Sequence, residues 1–241
     1  AFEQKFVFIF LYLGFGILAG VWPFHTWSPV GHVAAPHAVS MVHAGVLMKI
    51  GAFGVLRVAI FLCPQGWQYW ADLMAALAAV GIIYGALAGL RQTDLKYVIG
   101  YSSVSHMGIV GLGLSTMSID GLNGAVFQMF AHGIMTALLF SSVGYIYDRT
   151  HTKAIAELGG LSRIMPVASA FFIVAALASI GIPGLAMEAF VLDDEPDRWT
   201  SRGIAARGIW PLREPVRMSD GNWFVPGWDE DWRAAVAISR G

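Results

Sequence analysis

Residues Pro36 to Leu62, PHAVSMVHAGVLMKIGAFGVLRVAIFL, form one long apolar stretch with a lysine near its middle. About 25 mainly apolar residues suffice to cross a hydrocarbon core about 30 Å thick as a helix. Pro36 suits a first helical position, where its missing N–H costs nothing. At 1.5 Å of rise per residue, Lys49 falls roughly 18 Å from the start, too deep to snorkel to either surface. A cation at that depth costs at least about 2.5 kcal/mol by insertion scales, so it has to face protein or water rather than lipid. Gly45, Lys49 and Ala52 share a face, and the small residues let a neighbouring helix come close. A static structural charge paired inside a bundle is the plainer reading. A functional lysine is the stronger one, because intramembrane ionisable groups are functional candidates by default.

Composition supports a membrane chain with a break in it. Of 241 residues, 56% are hydrophobic and only 13% charged, against about 25% charged in soluble domains. The net charge of −1 leaves no basic footprint for nucleic acid. Residues 1–187 hold 14 charged side chains, whereas the far shorter stretch 188–241 holds 17. The first part is expected to be transmembrane, and the second, taken alone, would be soluble. A single cysteine, Cys63, excludes an internal disulfide and any CxxC motif. Ala1 leads directly into an apolar helix with no signal-peptide pattern, and the missing initiator methionine suggests a longer parent chain.

Six apolar segments can be drawn, at about 6–22, 38–62, 72–90, 98–116, 121–146 and 164–182, each of a length that fits a span. The expected N-caps are Asp72, Asp120 and Ser162, with Pro166 in a first turn. Loops 91–97 and 147–163 share one side and carry Arg91, Lys96, Arg149, Lys153 and Arg163. The positive-inside rule makes that side cytoplasmic, and loop 23–37 lies there too. That loop contains His25, His32 and His37 but no carboxylate or cysteine, and its spacings match no familiar zinc pattern. Hydrogen-bonded histidines in a loop capping helices at the membrane surface are the expected arrangement.

Counting along the spans puts His106 about 12 Å below the cytoplasmic boundary and His132 about 13 Å below it. Lys49, His106 and His132 thus fall within about 6 Å of one another in depth. Groups at a common depth can form a proton relay in the membrane plane, with Ser102, Ser105, Thr136 and buried water as bridges. Histidine suits this, since its pKa near 6.5 lets it take up and release protons around neutrality. Taken singly, either histidine is equally well read as a hydrogen-bonded core residue. The segment ending SIGIPG, with Gly181, Pro183 and Gly184, reads as a broken helix of the kind that lines ion paths, or as an ordinary helix end. From Glu188 the chain has five tryptophans, seven arginines and no clear period. It reads as a small appended domain, a disordered tail or the wrong-frame continuation of an interrupted gene.

The ordered motifs PFHTWSP, HVAAPHAVSMVHAGVLMKIGAFGVLR, QTDLKYVIGYSSVSHMG, QMFAHGIMTALLF and ASIGIPG closely resemble one family. It is that of the antiporter-like membrane subunits of proton-pumping NADH:quinone oxidoreductase (complex I), of subunit M or chain 4 type. Mrp-type cation/proton antiporters and membrane-bound hydrogenases share much of the pattern. The resemblance covers about residues 6–184 and implies an inverted-repeat fold of about fourteen helices, of which this chain carries about six. It implies that Lys49 is the central lysine, that His132 lies on the path from it to the far half-channel, and that His106 matches the SHMG histidine. Such subunits hold no cofactor; NADH, FMN, iron–sulfur clusters and quinone belong to partner subunits. The chain departs from the pattern at Leu18, where the family usually has a lysine, and at Val30, where it has an aspartate. The family's early-helix glutamate would fall upstream of Ala1.

The expected architecture is all-α: a polytopic transmembrane bundle over 1–187 and a polar tail over 188–241. The expected function is proton translocation by a Lys49, His132 and His106 relay, coupled to quinone reduction elsewhere in a large assembly. Its partners would be other membrane subunits and the lipid bilayer, in a bacterial cytoplasmic membrane. Three alternatives stand beside it: an Mrp-type or hydrogenase-linked antiporter subunit, an inactive truncated product, and a bis-histidine haem bundle using His43, His106 or His132.

Overall fold

Among the described residues, five helices are long and apolar enough to cross a membrane. In the computed structural model, residues 2–180 and five strand segments between 188 and 239 are described. The long helices are α1 (Phe2–Ala19), α3 (His37–Ile60), α4 (Pro64–Leu90), α5 (Leu95–Ser115) and α6 (Ile119–Thr150). Between α1 and α3 lies a short helix, α2 (Trp27–Ala34). After α6 come a 3₁₀ turn at Ile155–Glu157, the single turn α7 (Leu161–Ile164) and α8 (Pro166–Ser179).

Among the described residues, the sixth predicted span has 14 helical residues, or about 21 Å of rise. The expected break at Gly181, Pro183 and Gly184 lies outside the described residues. Pro166 opens α8, as its fixed φ favours, but the other start signals differ from expectation. Helix α4 begins at Pro64 behind Cys63, so Asp72 sits inside it rather than capping it. Ser118, not Asp120, caps α6 by accepting from the Gly121 N–H. Ser162 lies within α7, which follows Gly160. A proline or serine a few residues upstream of an acidic residue captured the start in two of these cases.

Helix α3 holds a feature the pattern did not announce. It passes from α-helix at His37–Val42 into a π-helical turn at His43–Leu47, back to α-helix at Met48–Gly54, and into a second π stretch at Val55–Ile60. Such turns insert extra residues into the helical ladder and re-aim the side chains around them. Lys49 lies between the two.

The core among α1, α3, α4, α5 and α6 is built from Phe8, Met48, Met74, Met107, Val110 and Met129. Trp67 Nε1 donates to Leu114 O at 2.8 Å and Trp70 Nε1 to Lys5 O at 2.9 Å, tying α4 to segments distant in sequence. Outward faces carry exposed Val42, Phe53, Ile83, Leu87 and Phe130, as a surface meeting lipid requires. Gly51 lets α1 press onto α3: a Cβ there would meet the Ala19 nitrogen and lie 2.7 Å from Phe15 O. Both are backbone atoms that cannot swing aside. Gly51→Ala is accordingly expected to destabilise the bundle by about 1–3 kcal/mol, read as a lower thermal midpoint in detergent. An unchanged midpoint would mean that the two helices slide apart without cost.

Three connecting segments meet at one end of this bundle. Leu95 N donates to Lys153 O at 3.0 Å, Ile155 N to Thr93 O at 2.9 Å, and Lys96 Nζ to Ala35 O at 2.6 Å. The segments expected to share a side, 23–37, 91–97 and 147–163, are thus joined by hydrogen bonds.

The chain divides into two compact units, Ala1–Ala175 and Ala176–Gly241. Within the second, five strands form one sheet in the order β2-β1-β5-β4-β3: β1 (Glu188–Leu192), β2 (Trp199–Ile204), β3 (Val216–Arg217), β4 (Trp223–Trp228) and β5 (Ala234–Ser239). The β1–β5 pair is parallel and the others antiparallel. The absence of an extended period in this stretch reflects how short each strand is.

Candidate functional site

Lys49 Nζ donates to the Ala44 carbonyl in the first π turn of α3 and is hydrogen-bonded to Nδ1 of His132 on α6. This contact needs α3 and α6 to come unusually close, and Gly45 and Gly133 permit it. A Cβ built on Gly133 would lie 3.0 Å from Gly45 O. His132 is 1% exposed, and its backbone carbonyl accepts from Thr136 Oγ1 at 2.6 Å. With the ammonium donating to Nδ1, the neutral imidazole carries its proton on Nε2. The His106 ring lies 5.1 Å from that of His132, centroid to centroid, and its Nδ1 pairs with Gln128 Nε2 at 2.9 Å.

The three residues picked out by depth are thus brought together laterally. The expected bridges are not where the counting put them. Lys49 reaches His132 directly, while Ser105 Oγ donates to Ile82 O and Thr136 Oγ1 to its own helix. Hydroxyls inside apolar helices satisfy themselves on nearby carbonyls when no closer acceptor exists.

A second group of histidines is placed differently from the sequence reading. The His-rich segment is not a surface loop but contains α2, folded back into the bundle, with His25 2% and His32 0% exposed. His32 stacks on His43 at 4.1 Å and on Phe140 at 4.8 Å, and the indole of Trp27 also stacks on His43, at 5.0 Å. Both ring nitrogens of His32, Nε2 of His43 and Nε2 of His132 are buried with no protein partner among the described residues. Buried polar atoms of this kind call for ordered water. The haem alternative needs two imidazole edges aimed at one iron from opposite sides. Here His43 is packed face-on by aromatic neighbours, and His106 and His132 use their Nδ1 atoms on Gln128 and Lys49.

His32 lies outside the spans, and burial, reinforced by neighbouring His43, Lys49 and Lys96, pushes its pKa from 6.5 down to about 3. Burial also lowers His25, opposed in part by the nearby Pro23 backbone carbonyl, which favours the protonated ring. Because the folded value lies below the unfolded one, the unfolded chain takes up a proton that the folded chain refuses. Stability is therefore full above pH 6.5 and declines as pH falls toward 3. The thermal midpoint should drop on acidification from pH 7 to about 5, and less steeply in His32→Leu. Equal slopes for the two proteins would remove His32 as the cause.

Residues 1–192 match the family described as NADH:quinone oxidoreductase/Mrp antiporter, transmembrane. The chain belongs to this family. NADH-quinone oxidoreductase subunit M of Rickettsia conorii (strain ATCC VR-613 / Malish 7) is 43% identical over 183 residues, covering 76% of this chain and 37% of the relative. NAD(P)H-quinone oxidoreductase chain 4 1 of Synechococcus sp. (strain JA-3-3Ab) is 44% identical over 173 residues, 72% of this chain and 33% of the relative. The chain therefore spans little more than a third of the curated relatives it matches. Among solved structures, respiratory complex I from Thermus thermophilus with bound NADH contains a similar chain, with a TM-score of 0.72 and 33% identity. That match covers 76% of this chain and 39% of the other. The Mrp complex from Dietzia sp. DQ12-45-1b shares the fold, with a TM-score of 0.71 and 22% identity over 74% of this chain and 33% of that one. In this NADH:quinone oxidoreductase/Mrp antiporter member, the Lys49–His132 contact lies wholly within the part that matches.

Proposed function

We propose that this chain carries part of a proton-translocating membrane subunit of an NADH:quinone oxidoreductase-type assembly. The observation carrying the reading is the hydrogen bond between Lys49 Nζ and His132 Nδ1 inside a membrane bundle. An ammonium can pass its proton to a neutral imidazole at Nδ1, and that imidazole can release its other proton from Nε2. Lys49 is the central carrier, His132 the first acceptor and His106 the next group along the path. The charge state of neighbouring subunits biases which group holds the proton, so this chain performs no redox step. NADH, flavin, iron–sulfur and quinone chemistry belongs to partner subunits.

The end that gathers Arg91, Lys96, Arg149, Lys153 and Arg163 faces the cytoplasm in this reading. The complex I type is preferred over the Mrp type because the subunit M relative reaches 43% identity, whereas the Mrp likeness, at 22%, concerns the fold alone. The test uses the complete parent subunit in its assembly, reconstituted in proteoliposomes and driven by NADH and a soluble quinone. Proton uptake that disappears on substituting Lys49 supports the proposal. Transport that requires sodium and ignores NADH oxidation would assign the chain to the antiporter type instead.

A further inference from the structure

Lys96 is a buried cation that the relay does not use. It stands in the first turn of α5 and is 1% exposed. Its neighbour Asp94 is occupied elsewhere, capping α5 through the Lys96 and Tyr97 N–H groups and facing Lys153 at 3.9 Å. The Lys96 ammonium instead donates to Ala35 O at 2.6 Å. Ala35 follows the last residue of α2 and precedes Pro36, which has no N–H to offer. A cation at this position meets the negative end of α2 as well as its terminal carbonyl.

We infer that Lys96 is a positioning residue: by holding the end of α2 it keeps the His32 ring stacked on His43, beside Lys49. The inference rests on the proton-translocation reading for its consequence, though not for its geometry. Three further contacts also hold α2. Ser40 Oγ donates to His32 O at 2.9 Å, and Trp27 Nε1 donates to Ile17 O at 2.9 Å. At Gly100 of α5 a Cβ would lie 3.0 Å from Pro29 Cα, so α5 and α2 touch backbone to backbone. His32 is carried by the same turn of α2 that Lys96 and Ser40 hold. His43, its stacking partner, belongs to the π turn whose Ala44 carbonyl accepts from Lys49. A shift of α2 therefore reaches the lysine through one imidazole pair, and misplacements of about 1 Å at such groups reduce rates by up to 10²-fold.

The experiment pairs two readings of the same substitutions. The full chain, labelled with ¹⁵N-histidine and placed in lipid nanodiscs, gives imidazole signals assigned by single histidine substitutions. The parent assembly in proteoliposomes gives proton flux. Lys96→Met should move the His32 and His43 signals, leave that of His151 in place, and lower flux about tenfold. Lys96→Arg keeps a cationic donor and should restore both signals and most of the flux. Should Lys96→Met fail to insert, Ser40→Ala removes the second hold on α2 and should move the same two signals. Unmoved His32 and His43 signals in these variants overturn the positioning role, whatever happens to flux. Normal flux in Lys49→Ala would overturn the pumping reading, while the imidazole signals still decide the role of Lys96 independently.

Discussion

Replacing Lys49 with alanine is expected to lower proton transfer through the parent subunit by about 10²-fold or more, while the helix still inserts. Removing a cation that costs at least about 2.5 kcal/mol at mid-membrane makes insertion easier, not harder. What is lost is the donor to His132 Nδ1 and the hydrogen bond back to the Ala44 carbonyl. Two buried acceptors are then left without this partner, at about 1–3 kcal/mol each unless water fills the space. The substitution therefore separates chemistry from folding: protein level and assembly are maintained and flux collapses. Proteoliposome acidification assays alongside quantitative immunoblotting would measure both. Normal flux at normal abundance would remove Lys49 as the carrier.

Gly133→Leu should have nearly as large an effect without touching any ionisable group. A Cβ alone at this position already lies 3.0 Å from Gly45 O, so a leucine forces α6 away from α3. Lys49 and His132 sit on those two helices, and the direct contact between them depends on that approach. Proton transfer falls steeply once donor and acceptor exceed hydrogen-bond reach, so a drop of about 10²-fold in flux is expected. Gly133→Ala, which demands only a small local adjustment, should reduce flux much less. If Gly133→Leu pumped as fast as the unchanged protein, the route between α3 and α6 would have to run through water rather than through direct contact.

The lysine's importance could be read without a structure, because charge at mid-membrane is costly wherever the helix happens to pack. Depth could be read too, since rise per residue is constant along a helix. Lateral neighbours could not. His106 and His132 lie at matching depth by arithmetic, but so does every pair of residues equally far from the turn between two spans. Their meeting with Lys49 depends on which helices pack together and on the Gly45–Gly133 approach. The helix starts at Pro64 and Ser118 show a smaller version of the same limit, as several residues near each boundary had capping chemistry and the apolar length alone did not choose among them. The π turns of α3 were illegible because VHAGVLMK contains no proline and its composition suits an ordinary helix.

The His-rich segment draws the line most clearly. Its residues alone said that three histidines without carboxylates or cysteines make a poor metal site, and local chemistry suffices for that. Only the tertiary structure decided that the segment folds into α2, turns inward and stacks His32 on His43. In that stack α3 supplies His43 and α6 supplies Phe140, while Lys96 of α5 donates to the Ala35 carbonyl just past α2. The sequence by itself determined a helical membrane bundle with a deep lysine, because hydrophobic length and the cost of buried charge are properties of each segment alone. The partners of that lysine, and the pair of imidazoles beside it, were decided by packing, because contacts between residues as far apart as Lys49 and His132 exist only once the helices have chosen their neighbours.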